Sequence, residues 1–206
     1  MQIINHNEIV IASHNQGKVK EIRNLLAHFN VSITSSADYG LLEPVEDAPD
    51  YEGNALIKAR YVAKETGKIA LADDSGLSVN ALGGKPGIYS ARWAGDTKDF
   101  NVAMNRIETE LLATSTDDYS ASFFCALALV YPDGNEQVYL GEVKGTVTFP
   151  PRGDKGFGYD PIFIAKNMDQ TFAQISPDFK HSISHRADAF KQLTHALSQA
   201  FEKTPS

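Results

Sequence analysis

The chain has 206 residues, 42% of them hydrophobic and 22% charged, a globular balance that excludes a disordered chain. Its net charge of −7 argues against broad nucleic-acid binding, where lysine and arginine dominate, but leaves room for a small phosphorylated ligand held by a few local cations. A single cysteine, Cys125, excludes an internal disulfide, and its apolar neighbours mark it as core. No apolar run approaches the roughly 18 residues of a membrane span. Met1-Gln2-Ile3-Ile4 lacks the basic-then-apolar pattern of a signal peptide, so a cytoplasmic protein is expected.

Glu8 to Ser13 reads as a buried first strand. A helix should follow, since Val19, Ile22, Leu25, Leu26 and Phe29 recur at helical spacing. Val31 to Thr34 predicts a second strand, and residues 35–50, rich in Ser, Asp, Pro and Gly, a long loop. Loops of that length in a compact domain are often functional. A second helix is predicted over Tyr51 to Thr66, with Ala55, Ala59, Val62 and Ala63 inward and Gly67 as its stop. Lys68 to Ala72 then predicts a strand leading to Asp73-Asp74, immediately before a turn at Ser75-Gly76. A third helix is predicted over Lys98 to Ala113. Two extended runs follow, Tyr119–Tyr131 and Glu136–Thr148, joined by a Pro132-Asp133-Gly134-Asn135 turn. A glycine-rich loop, Gly153 to Gly158, precedes a strand at Pro161 to Ala165. The last helix is expected to begin near Ser184, with Phe190, Leu193, Leu197 and Phe201 as its buried stripe. Alternating strands and helices predict an α/β protein, its long hairpin extending the sheet into a second lobe.

Chemistry concentrates in a few places. Two adjacent carboxylates, Asp73 and Asp74, at the end of an apolar run are costly to bury without partners. Either they are turn formers or they serve a metal or a catalytic water. With no His or Cys nearby they suit oxygen-loving Mg²⁺ better than zinc. Ser13-His14-Asn15-Gln16-Gly17-Lys18 joins a strand to a helix, where free N–H groups and a lysine favour an anion. The segment is not a P-loop: Ala12 stands where that pattern needs Gly, and Val19 where it needs Ser or Thr. A plain capped turn is the other reading. Glu43, Glu46 and Asp47 lie in the long loop, as solvated charges or as the partner that completes a metal site with Asp74. Phe157-Gly158-Tyr159-Asp160 offers aromatics that could stack on a base, or a tight turn with core rings. Lys180, Ser184, His185 and Arg186 bring cations to a helix start, a small cost offset by a bound anion or carbonyl. His6, His28 and His195 have no partner at metal-ligand spacing, and Trp93 suits packing.

The order of these motifs resembles one family. Ser13-His14-Asn15 with Lys18, Asn54-Ala55, Ala72 to Leu77, Leu82 to Arg92, Phe157 to Phe163 and Ser184-His185-Arg186 follow the pattern of the inosine triphosphate pyrophosphatases, or XTP/dITP diphosphatases. The resemblance runs from about residue 9 to about residue 197, nearly the whole chain. It implies Mg²⁺-dependent hydrolysis of ITP, dITP and XTP to the monophosphate and pyrophosphate, clearing deaminated purines from the nucleotide pool. It also implies a homodimer and a single domain over 1–206, with an elongated mixed central sheet flanked by helices and a cleft between two lobes.

Carried over by position, Asp74 is the expected proton acceptor and a Mg²⁺ contact. Ser13, His14, Asn15, Gln16, Gly17 and Lys18 are the expected triphosphate segment, and Ser75 a substrate contact. Phe157, Gly158, Tyr159, Asp160, Lys180, His185 and Arg186 are expected on the base and sugar side. Glu46 and Asp73 are the further metal candidates. The chain departs from the pattern in its acidic loop, where Glu46-Asp47-Ala48-Pro49 replaces Glu-Glu-Thr-Gly and Val45 stands where an acid is common. Ser13-His14 also replaces Thr-Gly, a change for which backbone from His14 should suffice. Two other readings are a pyrophosphatase for modified pyrimidine nucleotides, like the Maf-type proteins, and a non-catalytic purine nucleotide sensor.

Overall fold

The computed structural model describes residues 8–27, 29 and 31–202, with side chains as far as His195. The readings of His6 and His28, and of Leu197 and Phe201 as buried, lie outside the described residues and side chains. Eleven elements carry the fold: β1 Glu8–Ile11, α1 Gln16–Leu26, β2 Ser32–Ser35, α2 Tyr51–Thr66, β3 Ile69–Val79, α3 Phe100–Thr114, β4 Ser120–Val130, β5 Glu136–Val147, β6 Phe163–Ala165, α4 Pro177–Ile183 and α5 His185–Glu202. The strands form one sheet in the order β2-β1-β3-β4-β5-β6. It is mixed, as expected: β1 runs parallel to both β2 and β3, while β5 and β6 are antiparallel.

Local chemistry explains the boundaries. Asp50 caps α2 by accepting the Gly53 N–H at 2.7 Å, and Gly67 closes it in the left-handed conformation, φ 66°. Helix α4 was not foreseen, although Ser176 followed by Pro177 is a helix-start signal. Strand β3 is the main correction. It does not stop at Ala72 but runs through Asp73, Asp74, Ser75 and Gly76 to Val79. The carboxylates are therefore not turn formers. They stay in an extended buried strand because each meets a lysine.

The chain divides into two compact units. One comprises the chain up to Asp74, Ala126–Leu140 and the chain from Ala189; the other comprises Ser75–Cys125 and Gly141–Asp188. In the first, Val10, Ala70, Ala72, Ala126 and Ala128 from the strands, with Ala12 just after β1, pack against Ala55, Ala59, Val62 and Ala63 of α2. Small side chains on both surfaces bring the helix backbone close to the sheet. In the second, Phe123, Phe163 and Phe172 form a ring cluster, surrounded by Leu77, Ile107, Ile162 and Val147. Cys125 is buried, as its apolar run predicts.

One polar cluster ties the first unit's outer strand ends together. The Glu8 carboxylate accepts from Lys68 Nζ, from Tyr39 Oη at 2.6 Å and from Thr34 Oγ1 at 2.9 Å. These bonds, led by that of Lys68, hold its carboxyl at about 2 instead of the ordinary 4.5. The folded value is depressed, so the stabilisation is present above pH 4.5 and is lost as the pH falls towards about 2. Glu8→Gln is expected to lower the urea midpoint at pH 7 and to flatten its fall through this window. Parallel acid profiles for the two proteins would show that the cluster contributes nothing to stability.

Candidate functional site

In the first unit the Ser13–Lys18 segment is a capped strand-to-helix turn. Asn15 Oδ1 accepts the Lys18 N–H at 3.2 Å, Ser13 Oγ accepts the Asn15 N–H at 3.1 Å, and Val19 makes the first helical bond to the Asn15 carbonyl. The N–H groups of Gln16 and Gly17 precede that first helical bond, which is the situation that favours anions at a helix start. The His14 side chain does more than the sequence reading allows: Nε2 donates to the Leu41 carbonyl at 2.8 Å and Nδ1 lies 3.4 Å from Glu43 Oε1. It ties the acidic loop to this turn.

Strand alternation separates the two aspartates. The even-numbered residues Ala70 and Ala72 face α2, so Asp74 faces α2 as well, and Asp73 faces the other way. Asp73 accepts Lys18 Nζ of α1 at 2.6 Å with its side chain fully buried. Asp74 Oδ1 accepts Lys58 Nζ of α2 at 3.0 Å, and the same ammonium lies 3.0 Å from Glu46 Oε1. Glu46 and Asp74 are therefore brought together, and Asp73 is not with them. Glu43 is turned to His14 instead.

Burial pushes the Asp74 carboxyl above its ordinary 3.8, a rise only partly offset by Lys58 and Lys18. Burial works against the Lys58 ammonium too, but the charges of Asp74 and then Glu46 outweigh it and raise its pKa. Two lysines thus serve three carboxylates, Asp73, Asp74 and Glu46, leaving excess negative charge. Asp74 Oδ2 is buried with no hydrogen-bond partner among the described residues. Both features fit a hard cation bound by oxygen. Among the described residues no three acidic, His or Cys side chains converge as a metal cage. The oxygen donors of Asp74 and Glu46 fit a cation such as Mg²⁺, which typically takes one or two carboxylates and completes its shell with water and substrate phosphates.

The second unit holds the other cluster. Asp160 Oδ2 accepts both Lys180 Nζ at 2.6 Å and the Phe157 N–H at 2.8 Å. The Lys180 ammonium lies 4.7 Å from the centre of the Phe157 ring, and the Arg186 guanidinium 6.0 Å. Gly156 has φ +72°, and a Cβ there would lie 2.1 Å from Asp160 Oδ2, so only glycine lets the loop close on this carboxylate. Arg186 is buried and donates through Nη2 to Ser75 Oγ at 3.2 Å. His185 stacks on Phe123 at 4.8 Å. Tyr159 is a buried anchor whose hydroxyl donates to the Ser90 carbonyl at 2.8 Å and whose ring meets Phe100 edge-on. Phe157 is the half-buried aromatic of the pair, and Gly158 turns the chain between them at φ 66°. Trp93 packs on the core under the Arg106 guanidinium, and His195 is exposed. A separate cavity of about 420 Å³, lined by Leu111, Leu112, Tyr119 and Phe149 among others, holds none of the candidate residues.

Sequence reasoning missed Lys58. Its signal was there: position 58 falls on the inward stripe with Ala55, Ala59 and Val62, so a lysine interrupts an apolar face.

A mixed α/β sheet with cations and carboxylates clustered at a helix start defines a protein built to take a phosphorylated ligand. Residues 9–196 match the model of the Ham1 family, and the chain belongs to that family. It is 53% identical over 189 residues to a dITP/XTP pyrophosphatase of Zymomonas mobilis subsp. mobilis, covering 91% of this chain and 90% of that one. It is 55% identical over 186 residues to a dITP/XTP pyrophosphatase of Rhodospirillum centenum, covering 90% and 92%. A HAM1 protein structure from Coxiella burnetii superposes with a TM-score of 0.86 at 37% identity, covering 93% of this chain and 98% of that one. The expected family resemblance and α/β fold are both borne out.

Removing Lys58 leaves Asp74 and Glu46 without their shared ammonium. Lys58→Met is expected to cost about 3–5 kcal/mol of stability at pH 7, by analogy with other broken buried ion pairs. Urea unfolding measures this, and an unchanged midpoint would show that the lysine does not hold the carboxylates.

Proposed function

We propose that this chain hydrolyses non-canonical purine nucleoside triphosphates, ITP, dITP and XTP, to the monophosphate and pyrophosphate, with Mg²⁺. The observation that carries the reading is Asp74: a buried carboxylate with one oxygen held by Lys58 and the other buried with no hydrogen-bond partner among the described residues, on the strand next to the Ser13–Lys18 turn. The relatives named dITP/XTP pyrophosphatase support the substrate class.

The residues take these roles. The N–H groups of Gln16 and Gly17, with Lys18, receive the triphosphate oxygens. Asp74 accepts the proton of a water whose oxygen attacks the α-phosphorus, while the bond from that phosphorus to the bridging oxygen breaks and pyrophosphate leaves. Asp74 and Glu46 are the residues that would hold Mg²⁺, which when bound would neutralise charge on the triphosphate. Asp73 holds Lys18 in place.

On the base side, Phe157 offers its ring for stacking, and Arg186 donates to the 6-carbonyl of hypoxanthine or xanthine. A guanidinium has donors only, so the 6-amino group of adenine meets another donor and is left mispaired, at about 1–3 kcal/mol. Asp160 and Lys180 fix the Phe157 loop, and Ser75 and His185 flank Arg186. The family resemblance also supports a homodimer working in the cytoplasm.

The test is a product-resolved panel of ITP, dITP, XTP, ATP and GTP. Pyrophosphate release from the first three, with ATP far slower, is expected; orthophosphate release or equal rates on all five would overturn the reading. Asp74→Asn is expected to abolish turnover while leaving nucleotide binding largely intact. Asp74 acts as a base only when ionised, so kcat/KM should rise with pH through its ionisation.

A further inference from the structure

The Asn54-Ala55 motif has no part in the roles above, yet Asn54 is fully buried on α2, one turn before Lys58. Burying a primary amide is costly, and a leucine of similar size would carry no such cost. Its Oδ1 accepts the Ala48 N–H at 3.0 Å, which fixes the amide orientation because that N–H is a donor. Its Nδ2 has no acceptor among the described residues. The bond to the loop is what the buried amide provides.

The neighbouring residue makes the same contact by shape. A Cβ on Gly53 would lie 2.5 Å from the Ala48 Cβ, far inside contact distance. Gly53 has no left-handed φ to explain it; it is a glycine in the first turn of a helix, where alanine is the better helix former. The space it leaves is filled by the Ala48 methyl. Ala48 is therefore seated on α2 by the hydrogen bond its N–H donates to Asn54 and by a notch at Gly53. Upstream, His14 holds the same loop at Leu41 and Glu43. Glu46 lies between these anchors, two residues from Ala48, with its carboxylate on Lys58.

We propose that Asn54 and Gly53 are positioning residues for Glu46: by seating Ala48 they fix the acidic loop so that the Glu46 carboxylate stays beside Lys58 and Asp74 for the metal. The inference rests on the function proposed above. It predicts that loosening Ala48 weakens the metal site without removing any ligand, as outer partners of metal ligands do, by about 10- to 100-fold in metal affinity.

The test compares wild type, Asn54→Leu, Gly53→Ala and the double variant Gly53→Ala/Ala48→Gly. Hydrogen exchange of the peptide spanning 44–50 and the Mg²⁺ concentration for half-maximal ITP turnover are both measured, with the thermal midpoint as a control on folding. Both single variants should exchange faster at Ala48 and need about 10- to 100-fold more Mg²⁺, with kcat at saturating Mg²⁺ recovering towards wild type. The double variant removes the methyl that Gly53→Ala strikes, and should recover both readouts part of the way, because the added Cβ still lies 3.1 Å from the Asp50 cap oxygen. Faster exchange with an unchanged Mg²⁺ requirement, or a double variant no better than Gly53→Ala, would overturn the inference. If wild type releases no pyrophosphate from ITP with Mg²⁺, the function itself fails, a result distinct from either of these.

Discussion

Strand β3 carries two consecutive buried carboxylates, and the first unit's site is arranged around that constraint. A side chain alternates faces with every residue, so Asp73 and Asp74 cannot share a partner. Each is met by a lysine from a different helix, Lys18 of α1 on one face and Lys58 of α2 on the other. Breaking either pair would strand a charge in the interior, where an unpaired ion is far more costly than an unpaired dipole. The pairs therefore hold both helices in register with the strand. The chemistry follows from the asymmetry between them. Asp73 is met by its lysine, whereas Asp74 keeps one buried oxygen with no partner among the described residues and a carboxyl raised by burial.

The second unit answers a similar problem with one carboxylate and several donors. Asp160 binds a lysine and a backbone N–H with the same oxygen, so ring, ammonium and loop are set together. Gly156 is required because the carboxylate occupies the space a side chain would take. Arg186, fully buried, is held towards Ser75. A rigid set of donors discriminates between a carbonyl and an amino group better than a mobile one, since a mobile donor can turn away from a mismatch.

Much of this was legible in the chain. Helix α2 follows from its alanine stripe, its Asp50 cap and Gly67, because those signals are local and agree with each other. The hairpin of β4 and β5 follows from a turn sequence between two extended runs. Six motifs in order carried the family. What failed were the places where a distant partner overrides local preference. Two aspartates before Ser-Gly look like a strand end, and only Lys18 and Lys58, 55 and 16 residues away, let the strand continue. Tyr159 looks as available as Phe157 until its hydroxyl is seen on Ser90, 69 residues away.

By itself, then, the sequence determined the α/β class and the family, since these depend on periodicity, capping and motif order. Only the tertiary structure decided how the carboxylates divide their work. It turned Asp73 to Lys18 and Asp74 to Lys58, set Glu46 on the Lys58 ammonium beside Asp74 and Glu43 on His14, and gave the His14 side chain a hold on the loop. The reason is that a side chain's face, burial and ion partner are set by elements far away in the chain, and no local pattern encodes which lysine will meet which acid.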